Sequence, residues 1–193
     1  MEQHINQRIN EAITFAVEAH GDQRRKVMNT PYILHPMEVA SIIAGMKDDE
    51  DLVIAAVLHD CVEDTPVSLE QIREKFGDRV AAIVGRETEN KREDLPPSES
   101  WLIRKQESLE ILKNADVDVK MLWLGDKLSN MRSFYRGHRK IGDRLWTKTN
   151  QKDPKMQKWL YTTIRDYLKE DLSMYPAWEE YSWLCDQIFK NVE

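Results

Sequence analysis

Hydrophobic residues recur at helical spacing along most of the chain. They return about every three to four positions, as expected of helices that bury one face. Polar residues fill the positions between them, and we find neither an alternating strand pattern of convincing length nor a glycine-rich phosphate loop. The pattern therefore predicts an all-α protein. The first amphipathic helix is indicated by Ile5, Ile9, Ala12, Ile13, Ala16 and Val17, with Gly21 as its stop.

The segment from about residue 51 to 64 differs, because it is apolar nearly all round before it ends in charged residues. A helix of this kind is expected at the centre of its domain. It should stop at Thr65, because the residue before a proline avoids the helical conformation. Near its exit the polar side chains are three or four positions apart, so a continuous helix would place them on one wall. These side chains are His59, Asp60, Glu63 and Asp64.

Capping and turn residues predict other boundaries. Pro36 suits a first helical turn, which puts His35 at a helix entrance. Ser68 is a candidate N-cap, and Gly77 is a candidate break between two helices. Residues 87–100 lack periodicity and contain a proline pair, which is typical of a loop. Further helices are predicted at 101–112, 117–135, 154–168 and 178–189.

Composition narrows the class of protein. The chain has 193 residues, 41% apolar and 32% charged, which suits a single globular domain. A formal net charge of −6 argues against nucleic-acid binding. No apolar stretch is long enough to span a membrane, and the first residues do not resemble a secretion leader. Cys61 and Cys185 lie far apart in sequence, so we expect a protein of the reducing cytoplasm.

A buried carboxylate after an apolar helix needs a partner, because an unpaired buried charge is very costly. A bound cation would meet that need. Imidazoles and carboxylates together form a mixed nitrogen and oxygen shell suited to manganese, iron or zinc. The candidate ligands are His35, His59, Asp60 and Asp126, although Asp126 has a cap or an ion pair with Lys127 or Arg132 as an alternative role.

Hydrolysis is the natural chemistry of such a shell, because a divalent ion makes water more acidic. Glu63 and Asp64 follow the His59-Asp60 pair by one turn. They are candidates to orient or deprotonate the water, or to protonate the leaving group, and the sequence does not separate these roles. The cations at residues 24–26 form either a solvated face or a contact for an anionic ligand.

Three strings of residues match a known family. Arg25-Lys26 precedes Thr-Pro-Tyr-Ile-Leu-His-Pro at 30–36, His-Asp-Cys-Val-Glu-Asp-Thr follows at 59–65, and Gly-Asp-Lys-Leu-Ser-Asn-Met-Arg occupies 125–132. The ordered set resembles the HD-domain metal-dependent phosphohydrolases. The longer strings are similar to the hydrolase domain of RelA/SpoT-type alarmone enzymes, and the chain length is similar to that of the small stand-alone alarmone hydrolases.

This resemblance implies a compact all-α HD-domain bundle with additional C-terminal helices. We expect the hydrolase domain at 1–150, with helices at 151–193 packing on it. The implied reaction removes the 3′-pyrophosphate of guanosine tetra- or pentaphosphate. The resemblance assigns Mn²⁺ to His35, His59, Asp60 and Asp126, water activation to Glu63 and Asp64, phosphate or nucleotide contacts to Arg25 and Lys26, and nucleotide binding to Asn130.

Two alternatives stay open at this point. Residues 27–30 depart from the family's usual glycine or acidic residues, so an HD-domain phosphohydrolase acting on another nucleotide or phosphoester is the alternative function. A non-catalytic binding module is the other, but such a module is expected to have lost a ligand or a catalytic carboxylate, and this chain has kept them. The aromatic C-terminal segment is compatible with a homo-oligomer.

Overall fold

The computed structural model describes residues 7–92 and 94–192, so Ile5 lies outside the described part of the chain. The described residues are all-α, which confirms the predicted fold class. Their only extended pairing is an isolated antiparallel bridge between Arg24 and Pro31. The helices are α1 (Gln7–His20), α2 (Leu34–Ala44), α3 (Glu50–Leu58), α4 (Cys61–Asp64), α5 (Leu69–Phe76), α6 (Asp78–Glu87), α7 (Pro97–Lys113), α8 (Val117–Ile141), α9 (Pro154–Leu172) and α10 (Pro176–Ile188), with a 3₁₀ segment at Gly142–Lys148.

Helix α3 lies at the centre, as its apolar sequence predicts. Six of its nine residues are buried, and α1, α2, α6 and α8 pack around it. The prediction of one continuous helix to Asp64 was wrong, because the chain turns at His59 and Asp60 before α4 begins. The His59 ring Nδ1 lies 2.8 Å from the Ala56 carbonyl oxygen, a group that the next helical turn would use. The turn presents both His59 and Asp60 at the end of α3.

A glycine brings α2 and α8 close together. A Cβ atom at Gly125 would lie 3.1 Å from a methyl group of Val39 and 3.3 Å from one of Ile43, so a larger residue would push the helices apart. The close approach places Asp126, the next residue of α8, beside His35 of α2. Packing at this crossing therefore joins two widely separated parts of the sequence at one point.

The C-terminal helices pack on the rest of the chain. Helix α10 lies along α8, and α9 contacts α7, α8 and α10. Arg132 of α8 donates to both carboxylate oxygens of Glu180 in α10, at 2.7 and 2.6 Å. The division of the chain at residue 150 stays a prediction. None of the helices in the described ranges is long and apolar enough to cross a membrane.

Several predicted boundaries are confirmed. Ser68 and Gln71 form a reciprocal capping box at the start of α5. Gly77 separates α5 from α6 with a φ of +97°, a conformation that favours glycine. The predicted loop at 87–100 is shorter than expected, because α6 continues to Glu87 and Pro97 already begins α7. The irregular connection therefore spans the residues between these two helices.

Candidate metal centre and substrate cavity

The four predicted metal ligands meet at one point. His35 Nε2 lies 3.1 Å from Asp126 Oδ1 and 3.4 Å from Asp60 Oδ2, and His59 Nε2 lies 3.1 Å from Asp60 Oδ2. One ligand atom from each of His35, His59 and Asp126 lies within 4.8 Å of the others. Helix α2, the turn after α3, and helix α8 each contribute to this cluster, which we call the HD cluster (His35, His59, Asp60 and Asp126).

Hydrogen bonds fix the orientation of both imidazole rings. The Ser129 hydroxyl donates to Glu38 Oε2 at 2.6 Å, so its oxygen accepts from His35 Nδ1–H at 2.8 Å. His59 Nδ1–H donates to the Ala56 carbonyl. In both rings Nε2 is therefore the nitrogen that faces the carboxylates and is available to a metal ion. Such outer partners are typical of metal-binding histidines, because they set the tautomer and the ring orientation.

The donor set fits a divalent cation. His59 is fully buried, and its Nε2 has no hydrogen-bond partner among the described residues although Asp60 lies near it. Burial lowers the pKa of His59, but the Asp60 carboxylate outweighs burial and raises that pKa to about 10. Burial also lowers the pKa of His35, which favours the neutral ring that binds metals. The carboxylates of Asp60 and Asp126, opposite two aligned nitrogens, therefore form a donor set that suits a divalent cation.

The two predicted catalytic carboxylates line a cavity next to the HD cluster. Burial, and then the charge of Asp60, raises the pKa of Glu63 to about 7, although the backbone N–H of Glu89 donates to its carboxylate at 3.2 Å. Asp64 accepts from Lys91 at 2.8 Å and from the Tyr32 hydroxyl at 3.3 Å. Glu63 can thus exist in both protonation states near neutral pH, as a proton-transfer group requires.

The predicted substrate contacts line the same cavity, which has a volume of about 300 Å³. Arg25 donates to Asn130 Oδ1 at 2.7 Å, and Asn130 in turn donates to Asp126 Oδ1 at 2.6 Å. The structure therefore brings Arg25 and Asn130 together and links both to the HD cluster. Lys26 donates to Asn150 at 2.6 Å on the exposed side of the cavity. The functional roles of these three residues stay predictions.

The loop that carries Arg25 is held against the site. The backbone N–H of Arg25 donates to the Thr30 carbonyl oxygen at 2.9 Å, and this hydrogen bond closes a small hairpin. The Gln23 side chain donates to the Asp64 carbonyl oxygen at 2.7 Å. Arg25 also lies over the ring of Tyr32, 5.6 Å from its centroid. These contacts fix the guanidinium of Arg25 at the cavity wall, whereas Arg24 and Lys26 are exposed.

Sequence reasoning missed several residues of the site. Tyr32 donates to Asp60 Oδ2 at 2.6 Å, and its place three residues before His35 in a helix entrance was a usable signal. Glu87 falls at the start of the predicted loop, yet it is buried beside His59 and Asp60. Lys127 forms an ion pair with Asp126, which is one of the alternative roles that the sequence predicts for Asp126. Lys105 and Lys148 also line the cavity, and only the fold brings them there.

A family comparison agrees with this geometry. The HD-domain family model matches residues 12–166, a range that includes every predicted site residue. The chain therefore belongs to the HD-domain family. The narrower resemblance to RelA/SpoT-type hydrolase domains is confirmed by relatives named guanosine-3′,5′-bis(diphosphate) 3′-pyrophosphohydrolase.

Two of these relatives differ in how much of their length is matched. The protein from Aquifex aeolicus is 38% identical over 127 residues, which are 66% of this chain but only 18% of that relative. MESH1 of Danio rerio is 39% identical over 129 residues, which cover 65% of this chain and 68% of that protein. The chain thus spans less than a fifth of the larger relative and about two thirds of the smaller one.

Solved structures extend the likeness to nearly the whole chain. A metazoan ortholog of SpoT, described as hydrolysing ppGpp, is 28% identical with a TM-score of 0.75, over 95% of this chain and 94% of that one. The lmo0812 protein of Listeria monocytogenes EGD-e is 33% identical with a TM-score of 0.72, over 81% of this chain and 99% of that one. The shared fold therefore includes the C-terminal helices in the first case.

Proposed function

We propose that this protein hydrolyses the 3′-pyrophosphate of guanosine tetra- and pentaphosphate, giving GDP or GTP and pyrophosphate, with Mn²⁺ as its metal. The observation that carries the proposal is the continuous chain of contacts from Arg25 through Asn130 to Asp126. These contacts join the Arg25 guanidinium, which lines the cavity, to the Asp126 carboxylate of the HD cluster, and they support a site that handles phosphate beside a metal ion. Relatives that are 38% and 39% identical to this chain over the matched residues are named for this reaction.

His35, His59, Asp60 and Asp126 would hold the metal. When bound, a divalent cation supplies Lewis acidity toward the phosphoryl group and makes the attacking water more acidic. The remaining work falls to side chains of the protein. Arg25 offers a planar fork that matches two phosphate oxygens, and Lys26 adds a second positive charge at the cavity entrance. These cations offset the charge of the substrate in a protein whose net charge is −6.

Two proton movements are needed. Water must lose a proton as its oxygen bonds to phosphorus, and the 3′-oxygen of the ribose must gain one as its bond to phosphorus breaks. Glu63 is suited to a proton transfer, because its pKa of about 7 allows it to accept and return a proton. Asp64 is held in place by Tyr32 and Lys91. We assign the two carboxylates to these transfers as a pair.

A nucleotide panel tests the proposal. The purified protein is assayed with guanosine tetraphosphate, pentaphosphate, dinucleotides and ordinary mononucleotides, each with Mn²⁺, Mg²⁺ or Zn²⁺. We expect pyrophosphate release from the alarmones with Mn²⁺ and little turnover of the others. If another nucleotide is hydrolysed efficiently and the alarmones are not hydrolysed, the protein has the alternative HD-domain phosphohydrolase activity.

Variants of the HD cluster provide the control. His59→Ala and Asp60→Ala should abolish pyrophosphate release while far-ultraviolet circular dichroism shows that the helices are kept. Full turnover by Asp60→Ala protein in metal-stripped buffer would refute the metal-dependent mechanism.

A further inference from the structure

Glu87 is a buried carboxylate without an adequate partner. It is the last residue of α6 and is 7% exposed. Its Oε2 atom is buried and has no hydrogen-bond partner within the described ranges. An ionised carboxylate left in this state is very costly, so Glu87 either takes up a proton or faces a positive group.

Helix α6 places the Glu87 carboxylate beside the HD cluster. Val80 and Val84 are fully buried, and Glu87 follows them at helical spacing on the same face. That face packs on α3, whose end carries His59. One ligand atom from each of Glu87, His59 and Asp60 lies within 4.8 Å of the others, a second group of potential metal ligands that shares His59 with the first.

The two groups belong to one metal site. His59 Nδ1 is occupied by the Ala56 carbonyl, which leaves Nε2 as its only ligand atom. A single imidazole nitrogen binds one metal ion. An ion bound to His59 Nε2 would therefore be shared by both groups.

The ammonium group of Lys127 does not satisfy Glu87. Its Nζ lies 3.7 Å from Glu87 Oε1, beyond hydrogen-bonding distance, and forms its ion pair with Asp126 Oδ2. With a divalent ion present, however, the local charges balance. The carboxylates of Asp60, Asp126 and Glu87 carry three negative charges, and the ion and Lys127 together carry three positive charges.

We propose that Glu87 is a further carboxylate ligand of the metal ion, in addition to the HD cluster. The inference rests on the metal site of the proposed function. A shell of two imidazoles and three carboxylates is richer in oxygen than the HD cluster alone. Hard oxygen ligands suit Mn²⁺ better than they suit Zn²⁺, so Glu87 shifts the site toward manganese.

The test measures metal affinity and does not depend on turnover. Metal-stripped full-length protein is titrated with Mn²⁺, and free Mn²⁺ is followed by its electron paramagnetic resonance signal. Glu87→Gln removes the charge, whereas Glu87→Asp keeps the charge but withdraws it by one methylene group. Both variants should raise the Kd for Mn²⁺ by about tenfold or more, as loss of a metal-site contact does.

Glu89→Gln is the matched control. Glu89 is a buried carboxylate two residues further along, but Arg104 at 2.6 Å and Lys105 at 2.9 Å already pair with it. This variant should bind Mn²⁺ as the wild type does. Thermal unfolding in EDTA provides a second measurement. Glu87 Oε2 has no hydrogen-bond partner within the described ranges, so Glu87→Gln should leave the metal-free protein at least as stable as the wild type.

The outcomes separate the possible failures. Wild-type affinity in Glu87→Gln would overturn the inference and leave the HD cluster as the whole site. Wild-type affinity in Glu87→Asp, with weak binding in Glu87→Gln, would also overturn it, because charge without coordination would then suffice. A wild-type protein that binds no Mn²⁺ would overturn the proposed metal site itself.

Discussion

Removal of the Ser129 hydroxyl should weaken metal binding without loss of the fold. Ser129 is 1% exposed, and its hydroxyl connects His35 Nδ1 at 2.8 Å with Glu38 Oε2 at 2.6 Å. In Ser129→Ala, Glu38 keeps Arg132, which lies 3.3 Å away. His35 keeps no such substitute, so its ring N–H is left buried without an acceptor and the ring is free to turn.

The expected size of the effect follows from that lost contact. A buried donor left without a partner costs about 1 to 3 kcal/mol. Loss of the group that orients a metal-binding histidine typically lowers metal affinity by about 10- to 100-fold, which corresponds to a similar free energy. We therefore expect Ser129→Ala to raise the Kd for Mn²⁺ by about 10- to 100-fold.

Isothermal titration of metal-stripped protein with Mn²⁺ measures this change. Ser133→Ala is the matched control, because Ser133 is also buried and lies one turn further along α8. It should bind Mn²⁺ with wild-type affinity. An unchanged Kd in Ser129→Ala, or equal weakening in both variants, would refute the role of the Glu38-Ser129-His35 contacts.

Three further predictions concern other parts of the account. Tyr32→Phe removes a hydrogen bond to the charged Asp60 carboxylate, and such a bond contributes about 1.5 to 3 kcal/mol. We therefore expect kcat for the alarmone to fall by about tenfold or more, while the circular dichroism spectrum is unchanged. A wild-type kcat in this variant would contradict the role of Tyr32. Glu63→Gln should lower kcat steeply while inductively coupled plasma mass spectrometry finds the metal retained, whereas joint loss of metal and rate would make Glu63 a ligand. The hydrogen bond from Arg79 lowers the pKa of Asp49, so this carboxylate stabilises the folded state above its ordinary pKa of 3.8 and ceases to do so as the pH falls through its lowered value. Urea unfolding should find Asp49→Asn less stable than wild type by about 1 kcal/mol at pH 7, with a gap that narrows below pH 4, and a gap independent of pH would contradict the assignment.

The sequence predicted what depends on local physics. Helical spacing and capping residues gave most helix boundaries, including the capping box at Ser68 and the break at Gly77. The uniformly apolar run before His59 correctly predicted a central helix, because only a position surrounded by other helices buries every face of it. The motif strings then predicted a cluster whose members lie close together in the structure.

Contacts between segments that are distant in the sequence could not be predicted from helical spacing. The turn at His59 and Asp60 depends on a hydrogen bond between the imidazole and a carbonyl, which helical periodicity does not encode. Lys105 and Lys148 reach the cavity only because α7 and the 3₁₀ segment pack near it. Glu87 is different, since its spacing from Val80 and Val84 already placed it on the buried face of α6. The predicted loop begins at Glu87, and for this reason the prediction did not use the spacing of Glu87 from the buried residues of α6.

In the proposed mechanism one divalent ion binds between His35, His59, Asp60 and Asp126. Anomalous diffraction from crystals grown with Mn²⁺, measured near the manganese absorption edge, would locate that ion. We expect one strong anomalous peak within coordination distance of both Nε2 atoms and both aspartates. A peak elsewhere, or an HD cluster without a peak in a crystal that binds Mn²⁺ at other positions, would contradict it.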